Sequence, residues 1–137
     1  MPAFVLDSYA ILAFLQDEKG AHVVEDLILS AQEEQNELLM SVVNLGEVWY
    51  AIARSESVEV ADFLVEQIRN LPIEFVQVDW ALASQAARFK LKGNIAYADC
   101  FAAALAKLRQ ARVVSGDREF TRLADEVELY WIQAGEE

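Results

Sequence analysis

Ala3-Phe4-Val5-Leu6-Asp7-Ser8-Tyr9-Ala10-Ile11-Leu12-Ala13-Phe14-Leu15 sets an apolar run, one acid and a second apolar run end to end. Ala3–Leu6 lacks polar alternation, the pattern of a strand covered on both faces. The residues after it are spaced for a helix reaching Leu15, with Ser8 the expected N-cap. Asp7 then stands at the carboxyl end of a strand. Asp-Ser before a helix is also a common cap, but if Ser8 caps, Asp7 is left to face the space beyond the strand.

The same alternation repeats along the chain. Short apolar runs at Leu38–Ser41, Ile73–Val78, Arg112–Ser115 and Leu129–Gln133 read as further strands. Between them lie helical patterns at Ala21–Glu34, Asn44–Arg54 and Val58–Asn70. Others run from the capping Asp79 to Leu91, from Tyr97 to Leu108, and from Asp117 to Ala124. Leu71-Pro72 and Gly93 are helix stops. Strands alternating with helices specify an α/β fold with a parallel sheet and helices on both faces. In such sheets function collects beyond the strands' carboxyl ends, where the strand order reverses.

The 137 residues suit one domain, expected over 1–137, and 55% hydrophobic content is enough for a core. The single cysteine, Cys100, cannot form an internal disulfide, as expected in a reducing cytoplasm. The apolar stretch near the amino end is interrupted by Asp7 and has no basic segment before it. It is a poor signal peptide and too short to span a membrane. The net charge of −12 argues against a general nucleic-acid coat protein. Charge is unevenly spread, however: the window from Arg88 to Arg122 nets +5 and the remainder −17. That asymmetry fits an anion-facing side on an acidic body, and equally an ordinary solvated helix surface.

Four acids share one kind of place. Asp7 and Asp117 follow strands directly, the latter in a Ser115-Gly116-Asp117 turn. Taken alone, Asp117 reads better as a helix cap. Glu47 lies early in a helix among Leu45, Val48 and Trp49, so it is either at an exposed edge or turned to a polar site. Asp99 sits in Tyr97-Ala98-Asp99-Cys100-Phe101-Ala102-Ala103-Ala104, a helix of small residues built to pack closely on a sheet. A charge there is costly without a partner, though a helix N-terminus also favours an acid. Carboxylates gathered together repel unless a cation compensates, and oxygen-only ligands select hard ions such as Mg²⁺ or Mn²⁺.

Val5-Leu6-Asp7-Ser8-Tyr9-Ala10, Ser41-Val42-Val43-Asn44-Leu45-Gly46-Glu47-Val48, Tyr97-Ala98-Asp99-Cys100 and Val114-Ser115-Gly116-Asp117-Arg118-Glu119-Phe120 occur in the order and spacing of a PIN domain. The chain resembles, over essentially its whole length, the VapC toxins of bacterial and archaeal toxin–antitoxin pairs. The resemblance implies a three-layer α/β/α sandwich on a five-stranded parallel sheet of order 3-2-1-4-5. It implies a Mg²⁺- or Mn²⁺-dependent endoribonuclease that leaves a 5′-phosphate and a 3′-hydroxyl. Asp7, Glu47, Asp99 and Asp117 fall on the family's acidic positions and Ser115 on its small hydroxyl position. Asp7, Asp99 and Asp117 are then metal ligands, Glu47 a ligand or the positioner of the attacking water, and Ser115 an orienting hydrogen-bonding group. Glu119 matches an extra acid of some members. The implied partners are RNA, a cognate antitoxin protein and a second copy in a homodimer, with no membrane association.

Other chemistries lack their residues. His22 is the only histidine and lies on an acidic helix, where it reads as a surface residue, so a Ser/His or Cys/His relay lacks support. A phosphoryl-accepting receiver needs paired acids after its first strand, and a dehalogenase-type phosphatase needs Asp-x-Asp, where this chain has Asp7-Ser8-Tyr9. The remaining alternatives are a non-catalytic interaction module on a PIN scaffold and an RNA-processing nuclease outside a toxin–antitoxin pair.

Overall fold

The computed structural model describes residues 1–133. Five strands, β1 (Ala3–Leu6), β2 (Glu37–Ser41), β3 (Glu74–Val76), β4 (Arg112–Ser115) and β5 (Leu129–Trp131), form one sheet. All pairings are parallel and the order is β3-β2-β1-β4-β5. The helices are α1 (Ser8–Leu15), α2 (Ala21–Gln32), α3 (Val42–Ser55), α4 (Val58–Arg69), α5 (Trp80–Lys90) and α6 (Tyr97–Arg109). A 3₁₀ turn, Arg118–Leu123, replaces the α-helix expected over 117–124.

The strands divide their side chains between two cores. Val5, Leu39 and Val113 face α5, α6 and the residues after β4. Phe4, Leu6, Leu38, Met40 and Val114 face the helices α1 to α4. Both faces are covered, which is why the strands read as continuous apolar runs. On α6, Ala102, Ala103, Ala104 and Ala106 are fully buried, so this helix lies close against the sheet.

The chain builds outward from β1 through β2 to β3, then returns to place β4 on the other side of β1. The order therefore reverses between β1 and β4. Leu6 is in register with Val114, and the backbone N–H of Asp7 donates to Val114 O, so the first residues past each strand lie side by side.

Candidate metal centre

Asp7 is 1% exposed at the end of β1, and both its oxygens accept hydrogen bonds. Oδ1 takes the N–H of Ala10 at 2.8 Å, and Oδ2 takes the hydroxyl of Ser115 at 2.5 Å. Asp7, not Ser8, is thus the N-cap of α1. The expectation that Ser8 caps and leaves Asp7 free is corrected. Asp7 caps with one oxygen and faces β4 with the other, because the turn directs the Ser8 hydroxyl across to α3 instead. Ser8 Oγ donates to Glu47 Oε1 at 2.6 Å.

Ser115, itself fully buried, also accepts the backbone N–H of Asp117 at 2.9 Å. One hydroxyl therefore fixes Asp7 and the turn that carries Asp117. Asp117 Oδ1 accepts the N–H of Glu119 at 2.9 Å, capping the 3₁₀ turn. The cap and site readings of Asp117 are compatible, since that bond occupies only one lone pair.

Asp99 lies in the first turn of α6 and is 6% exposed. The N-cap there, Ala96, offers no side-chain acceptor, so the positive end of the helix dipole lies beside the carboxylate. Carboxylate oxygens of Asp99, Asp117 and Glu119 lie within 4.8 Å of one another. Asp7 and Glu47 fall outside this triplet, yet their charges act on it: Asp99 feels those of Asp117, Asp7 and Glu47.

The electrostatic strain is plain in the acids' proton affinities. Burial pushes the Asp7 carboxyl up to about 7, against the bonds from Ser115 and Ala10, and the Asp117 and Glu47 charges push it the same way. Asp99 is raised too, first by burial, then by the Asp117, Asp7 and Glu47 charges and by a hydrogen bond to Asp117 that favours its protonated form.

A hard divalent ion fits this donor set. Octahedral Mg²⁺ with oxygens at about 2.1 Å places ligand oxygens roughly 3 Å apart as neighbours and roughly 4.2 Å apart across the ion. The triplet's oxygens are close enough to share one such ion, all within 4.8 Å of one another, and every donor is a carboxylate oxygen.

Two contributors were not legible beforehand. Asn44, fully buried on α3, donates through Nδ2 to Ala98 O at 3.1 Å and to Glu47 Oε1 at 3.4 Å. Gly116 allows the Tyr9 ring to lie against the turn, where a Cβ would come within 2.3 Å of Tyr9 Cε1. Asn44 does stand three residues before Glu47, on the same helix face.

Three of the eight basic residues in the Arg88–Arg122 window are paired with acids. Lys92 and Lys107 pair with Glu126, and Lys92 also with Asp125. Arg109 pairs with Glu74 at 2.8 Å. Lys107 and Arg109 are in the last turn of α6, roughly 12 Å and 15 Å along the helix from Asp99 by its rise per residue. Arg112 lies over the Phe4 and Tyr130 rings, and Arg118, nearest to Asp117 in sequence, over Trp131.

An α/β sandwich that brings buried and half-buried acids to the reversal between β1 and β4 defines a class of carboxylate-centred parallel-sheet proteins. The model of the PIN domain family matches residues 4–126, and the chain belongs to that family. No curated protein sequence matches it. Among solved structures it is similar to VapBC2 of Rickettsia felis, bound to a DNA fragment from its promoter, with 18% identity and a TM-score of 0.74, over 94% of this chain and 98% of that one. It is similar to DNA-bound VapBC of Salmonella typhimurium at 18% identity and a TM-score of 0.73, over 96% and 99%. It is also similar to Mycobacterium tuberculosis VapC20, a Sarcin-Ricin loop cleaving toxin, at 19% identity and a TM-score of 0.70, over 93% and 98%. These likenesses establish the shared fold.

Proposed function

We propose that the chain is a Mg²⁺- or Mn²⁺-dependent endoribonuclease, the toxin of a VapBC-type pair. The observation that carries this is the meeting of Asp7, Glu47, Asp99 and Asp117 at the β1–β4 reversal, with Asp7 and Asp99 raised by burial and by their acidic neighbours. A divalent cation held there supplies positive charge to the scissile phosphate and acidifies water in its coordination shell.

The chain's own residues have distinct duties in this reading. Asp99, Asp117 and Glu119, from the first turn of α6 and the β4 turn, would hold the ion. Asp7 adds charge from the strand end and is oriented by Ser115. Glu47 is anchored through Oε1 and orients the attacking water or adds a ligand. The cleavage is in-line hydrolysis leaving a 5′-phosphate and a 3′-hydroxyl.

The partners follow from the same reading. VapBC and FitAcB structures among the similar folds support an antitoxin, and a body of −17 outside the basic window attracts a basic segment. The antitoxin then lays an Arg or Lys in the acid pocket where the cation would stand. A second copy completes a homodimer. Among the described residues no helix is long and apolar enough to cross a membrane, and the cytoplasm is the proposed site of action.

The test is RNA cleavage by pure protein with Mg²⁺ or Mn²⁺, with chelator, and with Asp7→Asn and Asp99→Asn, reading the cut ends by sequencing. Cleavage that persists in chelator or in both variants overturns the reading. Host pull-down with a silent variant tests the toxin assignment separately, through recovery of a small basic partner.

A further inference from the structure

We propose that Asn44, together with Ser8, is a positioning residue that fixes the Glu47 carboxylate and locks α3 to the first turn of α6. The inference rests on the nuclease reading and names residues that reading does not use.

Asn44 is fully buried where α3 packs on α6. Both acceptors near its amide, Ala98 O and Glu47 Oε1, are bonded to Nδ2, which settles which way the amide faces. Its Oδ1 is left buried without a partner among the described residues. A half-satisfied amide in a helix–helix seam serves stability worse than an apolar side chain of the same size. Its bonds therefore need another reason, and they run to one site acid and to the residue before another. Ala98 precedes Asp99, so the Nδ2 bond holds the turn from which Asp99 projects.

Ser8 reaches the same oxygen from α1. Its hydroxyl follows Asp7 directly and donates to Glu47 Oε1 at 2.6 Å. Glu47 Oε1 is thus held between α1 and its own helix, and among the described residues Oε2 makes no hydrogen bond. One oxygen anchored and one available is the arrangement an acid needs to orient a ligand at a fixed place. Three acid-bearing segments, the end of β1, α3 and α6, are tied by two neutral side chains that bring no further charge to the cluster.

The test is a cleavage comparison of the whole protein, parent, Asn44→Leu, Ser8→Ala and the double variant, with KM, kcat and melting temperature for each. Asn44→Leu is expected to melt within a few degrees of the parent, keep KM within about twofold and lose about 10- to 100-fold in kcat, as for removal of supporting partners at metal sites. Ser8→Ala leaves no core cavity and should lose kcat in the same way, so it decides the matter if Asn44→Leu does not fold. The double variant should lose less than the product of the two, since both act through one carboxylate. A second readout is the Asn44 side-chain amide resonance, which should move in Glu47→Gln and in Ser8→Ala. Parental kcat in both single variants, or a loss of kcat that only tracks melting temperature with an unmoved amide resonance, overturns the proposal while the nuclease reading stands. A parent that cuts no RNA removes the nuclease reading and this proposal together.

Discussion

Ser115 donates a hydrogen bond to Asp7 at 2.5 Å across the β1–β4 reversal, joining residues 108 positions apart. The bond spans the one seam in the sheet where the ends of non-consecutive strands meet, so it reports directly on whether the site is assembled. Ser115→Ala removes it and leaves the N–H of Asp117 without its acceptor. The expected cost is about 1–3 kcal/mol in stability and about tenfold in kcat. Ser115→Thr keeps the hydroxyl and should recover most of both. Urea unfolding and steady-state cleavage of the two variants measure this, and equal losses in Ala and Thr would mean that side-chain size, not the hydroxyl, matters.

The raised carboxyls make the metal-free protein's stability fall with pH. A carboxyl whose folded pKa exceeds its unfolded value keeps its proton longer in the folded state. Folding is then penalised increasingly as pH rises from the unfolded value, and the full penalty is present above the folded one. For Asp7 that window runs from 3.8 to about 7, with Asp99 raised in the same direction. In chelator the protein should be less stable at pH 8 than at pH 5, by on the order of a few kcal/mol. Asp7→Asn should flatten the slope. Glu126 does not interfere, because Lys107 and Lys92 lower it to about 2 and its stabilisation is lost only as pH falls below the usual carboxylate range. Urea midpoints at pH 5 and pH 8 check the sign, and a rise towards pH 8 would count against buried acids of this kind.

Two glycines should respond oppositely to alanine. Gly46 lies inside α3 with nothing within 4 Å of an added Cβ, so Gly46→Ala should stabilise by about 0.5–1 kcal/mol. At Gly116 the added Cβ meets the Tyr9 ring at 2.3 Å, between Ser115, which fixes Asp7, and Asp117. Gly116→Ala should therefore destabilise and lower cleavage, and Gly116→Ala with Tyr9→Ala should regain part of the loss. Melting temperatures separate the two positions. No recovery in the double variant would place the strain in the backbone of the turn.

Much of this arrangement is written locally. Runs such as Phe4-Val5-Leu6 and Val113-Val114 declare strands buried on both faces, and helices beginning right after them put Asp7 and Asp117 at strand ends. Strand limits were less visible. The run Ile73–Val78 pairs only over Glu74–Val76, because an edge strand has a neighbour on one side alone. What the sequence withheld were choices between adjacent residues and contacts between distant ones. Asp7 and Ser8 are both good caps, and only the position of Glu47 on α3 decides that Ser8 turns away. Asn44 reads as an ordinary polar residue in a helix until α6 is packed against it. A charge count contains no directions: Lys92 and Lys107 of the basic window meet Glu126, which lies outside it.

Metal should stabilise the fold by an amount that depends on Asp117 in a way a cap alone cannot imitate. Asp117 caps the 3₁₀ turn through Oδ1, and Asn caps about as well as Asp. In chelator, Asp117→Asn should thus melt at or above the parent temperature, since it keeps the cap and removes a charge that raises both Asp7 and Asp99. A cation that binds only the folded protein adds about 2.7 kcal/mol at one hundred times its dissociation constant. Asp117→Asn should gain less, because it loses a charged oxygen from the Asp99–Asp117–Glu119 triplet. Glu119→Gln should show the same reduced gain if Glu119 is a ligand, and the parent's gain if it is only an exposed neighbour. The measurement is a set of melting curves in chelator, Mg²⁺ and Mn²⁺ for parent and both variants. A parent indifferent to saturating Mg²⁺ and Mn²⁺ would mean that these carboxylates cap turns and bury charge without binding an ion, and the catalytic role of the cluster would fall with it.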